Sequence, residues 1–130
     1  MYQSLLFILL LTLLLACNPS TQKEDLLRGK WEATELLESD SSLQVNLNEI
    51  WFVFDDQQNY YFHSTLNYEE AGRYELSGNL LYTTDTTRTT AKRKAVKLLE
   101  LDENNLKIEM KDQQAVRILS LNKQVEMTSE

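Results

Sequence analysis

Two kinds of hydrophobic pattern divide the chain. Leu5 to Ala16 is a run of apolar residues broken only by Thr12. From Lys30 onward, apolar residues come in short groups that alternate with polar ones, and clusters of Asp, Asn, Gln, Ser and Gly separate the groups. Period-two alternation over roughly 4–8 residues marks a half-buried strand. The clearest case is Leu106 to Met110, with Leu106, Ile108 and Met110 on one face and Lys107, Glu109 and Lys111 on the other. Leu43 to Leu47 reads the same way, with Leu43, Val45 and Leu47 opposite Gln44 and Asn46.

The remaining strands follow from the turns. Lys30 to Leu37 is a first strand with Trp31 and Ala33 on one face, and Asp40-Ser41-Ser42 is its turn. Ile50 to Phe54 and Tyr60 to Leu66 flank the turn cluster Asp55 to Asn59, so 50–66 reads as a hairpin. Arg73 to Leu76 and Leu80 to Thr84 flank Ser77-Gly78-Asn79, where Gly can take the positive φ of a tight turn. Thr83 to Thr90 is polar and β-prone, a long loop or an exposed strand edge. Ala91, Ala95, Leu98, Leu99 and Asp102 would also suit a helix, but 93–101 precedes a strand–turn–strand pattern and is read as a strand. Ala115 to Leu121 follows the turn Asp112-Gln113-Gln114, and a tail begins at about Val125. Before the first strand, Thr21 to Glu24 has capping-box spacing and Gly29 sits where a helix would stop, which predicts a short helix over 22–28. About eight or nine short strands in meander order indicate a small all-β fold, an antiparallel up-and-down barrel of about eight strands.

The apolar N-terminal run is too short to span a bilayer, which needs ~20 residues, but has the length of a signal-peptide core, ~7–15 residues. It ends in Leu14-Leu15-Ala16-Cys17. This resembles the lipobox of bacterial lipoproteins, in which a small residue precedes a Cys that becomes the lipidated N-terminus. The resemblance implies removal of 1–16, acyl chains on Cys17 as a membrane anchor, and a place in the bacterial cell envelope, at the outer membrane. Two or more acyl chains hold durably, at roughly 0.8 kcal/mol per buried CH₂. Residues 17–25 are then a tether, 26–124 the barrel and 125–130 a tail.

The 130 residues carry a net charge of −7, which argues against a nucleic-acid partner. One His and one Cys leave little for a buried zinc site and nothing for an internal disulfide. The Gly residues are too far apart for a phosphate-cradling loop, so neither metal nor cofactor is expected.

Gly29-Lys30-Trp31 at the head of the first strand, after a short helix, resembles the start of lipocalins. The aromatic strand Trp51-Phe52-Val53-Phe54 into Asp55-Asp56, the Gly72-Arg73-Tyr74 strand into a Gly-containing hairpin, and the strand–turn–strand Lys97 to Lys111 are similar to lipocalin-like domains of small bacterial lipoproteins. The resemblance covers 26–121. It implies that Trp31 packs at the closed end of the barrel beneath an Arg of the final strand, for which Arg117 is the candidate. Gly29, Trp31 and Arg117 are thus its structural signature.

Catalytic chemistry is thinly represented. His63 shares a strand face with Tyr61 and Thr65, while Ser64 points the other way, so the two make no nucleophile–base pair. Asp55-Asp56 reads as a turn pair and Glu69-Glu70 as a solvated pair beside a turn. Lys92-Arg93-Lys94 is the one basic cluster, a solvated strand end or a contact for anionic headgroups. Trp51, Phe52, Phe54, Tyr60, Tyr61 and Phe62 crowd one hairpin and leave both faces apolar. Trp51, Phe52, Phe54, Tyr60 and Phe62 therefore either fill the core or line a ligand cavity, and the inward parity is open.

The expected function is non-enzymatic: an envelope lipoprotein that holds a small apolar or amphipathic molecule in a calyx. The alternative is a protein–protein or envelope accessory module whose barrel is filled. A hydrolase is the third reading, and a buried carboxylate in a cleft would favour it.

Overall fold

The computed structural model describes residues 19–111 and 113–125. Cys17, residues 1–16 that were expected to form a leader, and the end of the tail lie outside the described residues. A helix, α1 (Pro19–Leu27), leads into β1 (Gly29–Glu38). The strands β2 (Ser41–Ser42), β3 (Trp51–Phe54), β4 (Asn59–Ser64), β5 (Tyr68–Ser77) and β6 (Leu80–Asp85) follow. They are succeeded by β7 (Arg93–Leu101), β8 (Asn105–Lys111) and β9 (Val116–Lys123). All neighbours are antiparallel, and β1 also pairs with β9. The two residues of β2 only extend the end of β1, so the other strands form a closed 8-strand barrel, as the meander order predicts.

The turns explain the order. Asp55 Oδ1 accepts the backbone N–H groups of Gln57 and Asn59, each at 2.9 Å, and reverses the chain between β3 and β4. Asp102 does the same for Asn104 and Asn105 at 2.8 Å, between β7 and β8. Gly78 takes φ +58° between β5 and β6, the conformation expected of it. The β4–β5 turn is different: Leu66 and Asn67 have φ +60° and +56°. Asn tolerates this region, whereas the left-handed conformation costs a residue such as Leu roughly 1–2 kcal/mol.

The 43–47 segment corrects the sequence reading. Its alternation is real, but it forms no strand. Leu43 N–H reaches Leu36 O at 2.9 Å, and the chain then leaves the ladder for a 3₁₀ turn over Leu47–Glu49, with the Asn46 side chain accepting from Asn48 N–H at 3.3 Å. On its other edge β1 stays paired with β9 from Trp31 to Glu38, through a bulge between Ala33 and Glu35. The 93–101 segment is a strand, as favoured, with a bulge between Leu98 and Glu100.

One face of each strand fills the barrel. Cross-strand partners share a face, and the inward set includes Trp31, Phe52, Phe54, Tyr60, Tyr74, Leu81, Ile108 and Leu119. α1 closes one end: Leu27 is fully buried, and its carbonyl accepts the Trp31 indole N–H at 2.8 Å. Lys23 Nζ ties the helix to Gly78 O at 3.0 Å. The buried apolar set runs from Leu27 to Leu121, so helix and barrel hold a complete core of their own.

Candidate functional site: the open end of the barrel

The structure settles the parity left open in the aromatic hairpin. Phe52, Phe54, Tyr60 and Phe62 point inward, and Trp51 points outward. Inside, the rings pack on one another. Phe52 lies 4.4 Å from Phe62 and 5.5 Å from Phe54, while Phe54 meets Tyr74 edge-on at 5.1 Å. Phe52, Phe54 and Tyr60 are therefore core. Outside, Trp51 stacks on its cross-strand partner His63 at 5.3 Å and 3° between planes, with Lys30 Nζ 5.2 Å from the indole. His63 Nδ1 is 2.6 Å from Glu49 O, and no Ser faces it across the ladder, where its partners are Trp51 and Glu69.

At the end opposite α1, the interior turns polar. Glu70 is buried, which corrects the reading of Glu69-Glu70 as a solvated pair: only Glu69 faces out. β5 begins at Tyr68, and its buried residues Glu70, Gly72, Tyr74 and Leu76 share one face. Glu70 accepts the Tyr60 hydroxyl at 3.1 Å and the Tyr68 hydroxyl at 2.5 Å, and it pairs with Lys94 Nζ. Burial pushes its carboxyl up, but the Lys94 and Tyr68 hydrogen bonds, the Lys94 charge and the Tyr60 hydroxyl outweigh that and hold it below the usual range. Tyr60 is pushed well up by burial and by the Glu70 charge beside it. Asp85, also buried, accepts the Thr87 hydroxyl at 2.5 Å and the Thr87 N–H at 2.9 Å, and pairs with Arg88 at 3.0 Å. The Thr87 hydroxyl leads the groups that lower its carboxyl, against burial.

Glu70 borders two hollows. One, of about 330 Å³, is lined by Trp51, Tyr61, Phe62, His63, Glu69, Glu70, Ala71 and Thr87, mostly the outward-facing residues of β3, β4 and β5, so it is a groove on the outer face of the sheet. The other, of about 250 Å³, lies at the mouth and is lined by Tyr68, Glu70, Asp85, Arg88, Thr90, Lys92 and Lys94. The mouth thus offers cations beside the Tyr68 ring, which suits a molecule with an anionic group and an apolar body. The buried carboxylate does not suit a general acid. It accepts from three donors and is held below the ordinary range, whereas a catalytic acid must keep its proton near neutral pH. Among the described residues, no His, Cys, Asp and Glu cluster could hold a metal ion.

Several sequence expectations are redrawn here. Arg117 does not cover Trp31. It sits at the other end of the β1–β9 ladder, opposite Glu38, and its guanidinium lies 3.0 Å from that carboxylate. Lys123 is the residue paired with Trp31, and its Nζ lies 5.0 Å from the indole centroid. The basic cluster splits: Lys94 turns to Glu70, while Arg93 lies 3.9 Å over the outward Tyr82 ring and 3.2 Å from Glu75. Glu70, Tyr68, Lys94 and Asp85 were not legible as a group. The available signal was the alternation Glu70, Gly72, Tyr74, Leu76, which places Glu70 on the face of two core residues.

No family model matches the chain, and no curated protein matches it. Solved structures share its fold, two from Bacteroides among them. A lipocalin-like protein from Bacteroides uniformis superposes with a TM-score of 0.60 at 16% identity, over 76% of this chain and 99% of that one. An uncharacterized protein from Bacteroides eggerthii gives a TM-score of 0.56 at 14% identity, over 75% of this chain and 99% of that one. At such identities the likeness shows the fold: a lipocalin-like antiparallel barrel.

Proposed function

We propose that this chain is a non-enzymatic binding protein that takes one small amphipathic molecule at the open end of its barrel. The observation that carries the reading is the hollow of about 250 Å³ at the mouth, where Arg88, Lys92 and Lys94 stand beside the Tyr68 ring. The interior aromatics pack against each other, so this reading places the molecule at the mouth and not in an apolar calyx. The lipocalin-like barrel supports a binding role, although a fold hosts many functions and the site must carry the argument. Arg88 and Lys94 keep unused N–H donors after pairing with Asp85 and Glu70, and these would meet the anionic group. Phe62 and Tyr68, which pack edge-on at the mouth, would meet the apolar body.

The reading includes an envelope location. Leu14-Leu15-Ala16-Cys17 supports lipidation of Cys17 and a membrane anchor placed just ahead of α1. Acyl labelling of the full chain tests this by itself: Cys17→Ser should leave an unlabelled, unprocessed precursor.

Native mass spectrometry of residues 19–130, challenged with fatty acids, lysophospholipids and quinones, tests the binding role. A bound mass for the anionic amphiphiles, weakened by Lys94→Ala and Phe62→Ala, is expected. An unliganded mass across the panel would refute small-molecule binding and return the choice to a protein-binding module.

A further inference from the structure

The outer face of the sheet carries two aligned rows of side chains. Register places Glu32, Trp51, His63 and Glu69 in one row, and Lys30, Val53, Tyr61 and Ala71 in the next. The groove of about 330 Å³ lies where these rows cross from β4 to β5. Its corners are the His63 and Tyr61 rings on β4 and the Glu69 carboxylate and Ala71 methyl on β5, with Thr87 beside them. Directly opposed residues on one face stand about 4.5–5.5 Å apart at Cβ, so one small group can touch both strands. Tyr61 and Glu69 are exposed, which leaves the groove open to solvent.

The polar atoms of this groove accept more than they donate. His63 Nδ1 lies 2.6 Å from Glu49 O, and a carbonyl only accepts, so Nδ1 carries the proton and the lone pair of the neutral ring is at Nε2. The Thr87 hydroxyl donates to Asp85 at 2.5 Å, which leaves its oxygen as an acceptor. The Tyr61 hydroxyl can serve either way. Among the described residues, no Lys or Arg pairs with Glu69: Lys30, Arg88 and Lys94 are paired with Glu32, Asp85 and Glu70, and Lys92 lines the mouth instead. Aromatic faces add further negative potential. Lys30 Nζ, 5.2 Å from the Trp51 indole, shows an ammonium already resting on this aromatic surface.

We propose that this groove binds a small primary ammonium, the charged end of an alkyl amine. The ammonium donates to Glu69 and to His63 Nε2, whose residues oppose each other across β4 and β5, and the alkyl chain runs over Ala71 along the Tyr61 ring. Three N–H donors match a set of acceptors, and the ring quadrupoles attract the charge. The chain's net charge of −7 favours cations over anions as visitors to its surface. The site goes beyond the one proposed at the mouth and is independent of it. Glu70, the residue bordering both hollows, already accepts from three donors.

Calorimetric titration of residues 19–130 at low salt tests it, with butylammonium and its isomer tetramethylammonium. The two probes have the same charge and atoms, but only butylammonium has N–H groups. Butylammonium should bind in the millimolar range or tighter, and tetramethylammonium several-fold more weakly. Glu69→Gln, at an exposed position, should melt like the wild type and weaken butylammonium about tenfold. Tyr61→Thr keeps a strand-forming residue and should weaken it as well. Glu100→Gln, exposed on β7 and outside the groove, removes the same charge and should leave the affinity unchanged. Absence of butylammonium binding, equal binding of the two isomers, undiminished binding by folded Glu69→Gln or Tyr61→Thr, or an equal loss in Glu100→Gln would each overturn the proposal.

Discussion

Lys123 Nζ sits 5.0 Å from the centre of the Trp31 indole and donates to Leu26 O at 2.7 Å. One ammonium thus bridges the last strand, the first strand and the end of α1. Burial lowers the Lys123 pKa, although the nearby Glu103 charge opposes this. Lys123→Met keeps the aliphatic stem but removes both the cation and the donor. It should cost about 1–2 kcal/mol in urea unfolding and loosen α1 first in hydrogen exchange.

Glu70→Gln should cost more. An amide in place of the carboxylate loses the Lys94 ion pair and cannot accept as well from both tyrosines. A loss of about 2 kcal/mol is expected from denaturant midpoints. Tyr68→Phe removes one donor from the network and should cost about half as much.

Stability should fall in acid. Glu70, Asp55 and Asp85 all have carboxyls held below their ordinary values of 4.5, 3.8 and 3.8. For Asp55, burial opposes the shift, and hydrogen bonds from Asn59 and Gln57 overcome it. Such groups stabilise the fold above their unfolded pKa, and that contribution is lost as pH falls through the folded value. The urea midpoint should therefore decline below pH 4.5 and more steeply below 3.8, and Glu70→Gln should flatten the upper part of that decline. On the alkaline side the sign reverses. Tyr60 is raised from 10.0, so its contribution is present below that pH and lost as pH climbs beyond it.

Gly72 admits no side chain. A Cβ there would lie 1.8 Å from Thr84 O and 2.9 Å from Thr86 N, both backbone atoms of the neighbouring segment. Gly72→Ala should cost about 3 kcal/mol or more, by forcing β5 from β6 beside the Asp85 turn. A melting temperature equal to that of the wild type would show that the strands separate more easily than this packing implies.

Local chemistry in the chain was enough to determine the barrel's strand order. Alternation at Leu106, Ile108 and Met110 sets a strand without reference to its neighbours, and Asp55 and Asp102 make their turns with backbone groups a few residues away. The Gly78 turn is equally local, and so is a helix before Gly29, although it runs over Pro19–Leu27 with Thr21 inside it and not over 22–28 with Thr21 as its cap. The β class and the meander could therefore be read before any contact between distant residues was known.

Tertiary structure decided what depends on register and closure. Whether Arg117 or Lys123 meets Trp31 depends on how β9 slides along β1, and no residue of either strand encodes that by itself. The 43–47 segment has a strand's pattern, but after Leu43 it leaves β1 for the 3₁₀ turn over Leu47–Glu49 that leads into β3. Glu70 and Glu69 are identical in chemistry and adjacent in sequence. The pleat turns one inward, and Tyr60, Tyr68 and Lys94, brought in from three strands, make its burial tolerable. The candidate site was hidden for that reason: Tyr68 and Glu70 lie two apart on β5, but Tyr60, Asp85 and Lys94 come to them from other strands only through the pairing of the barrel.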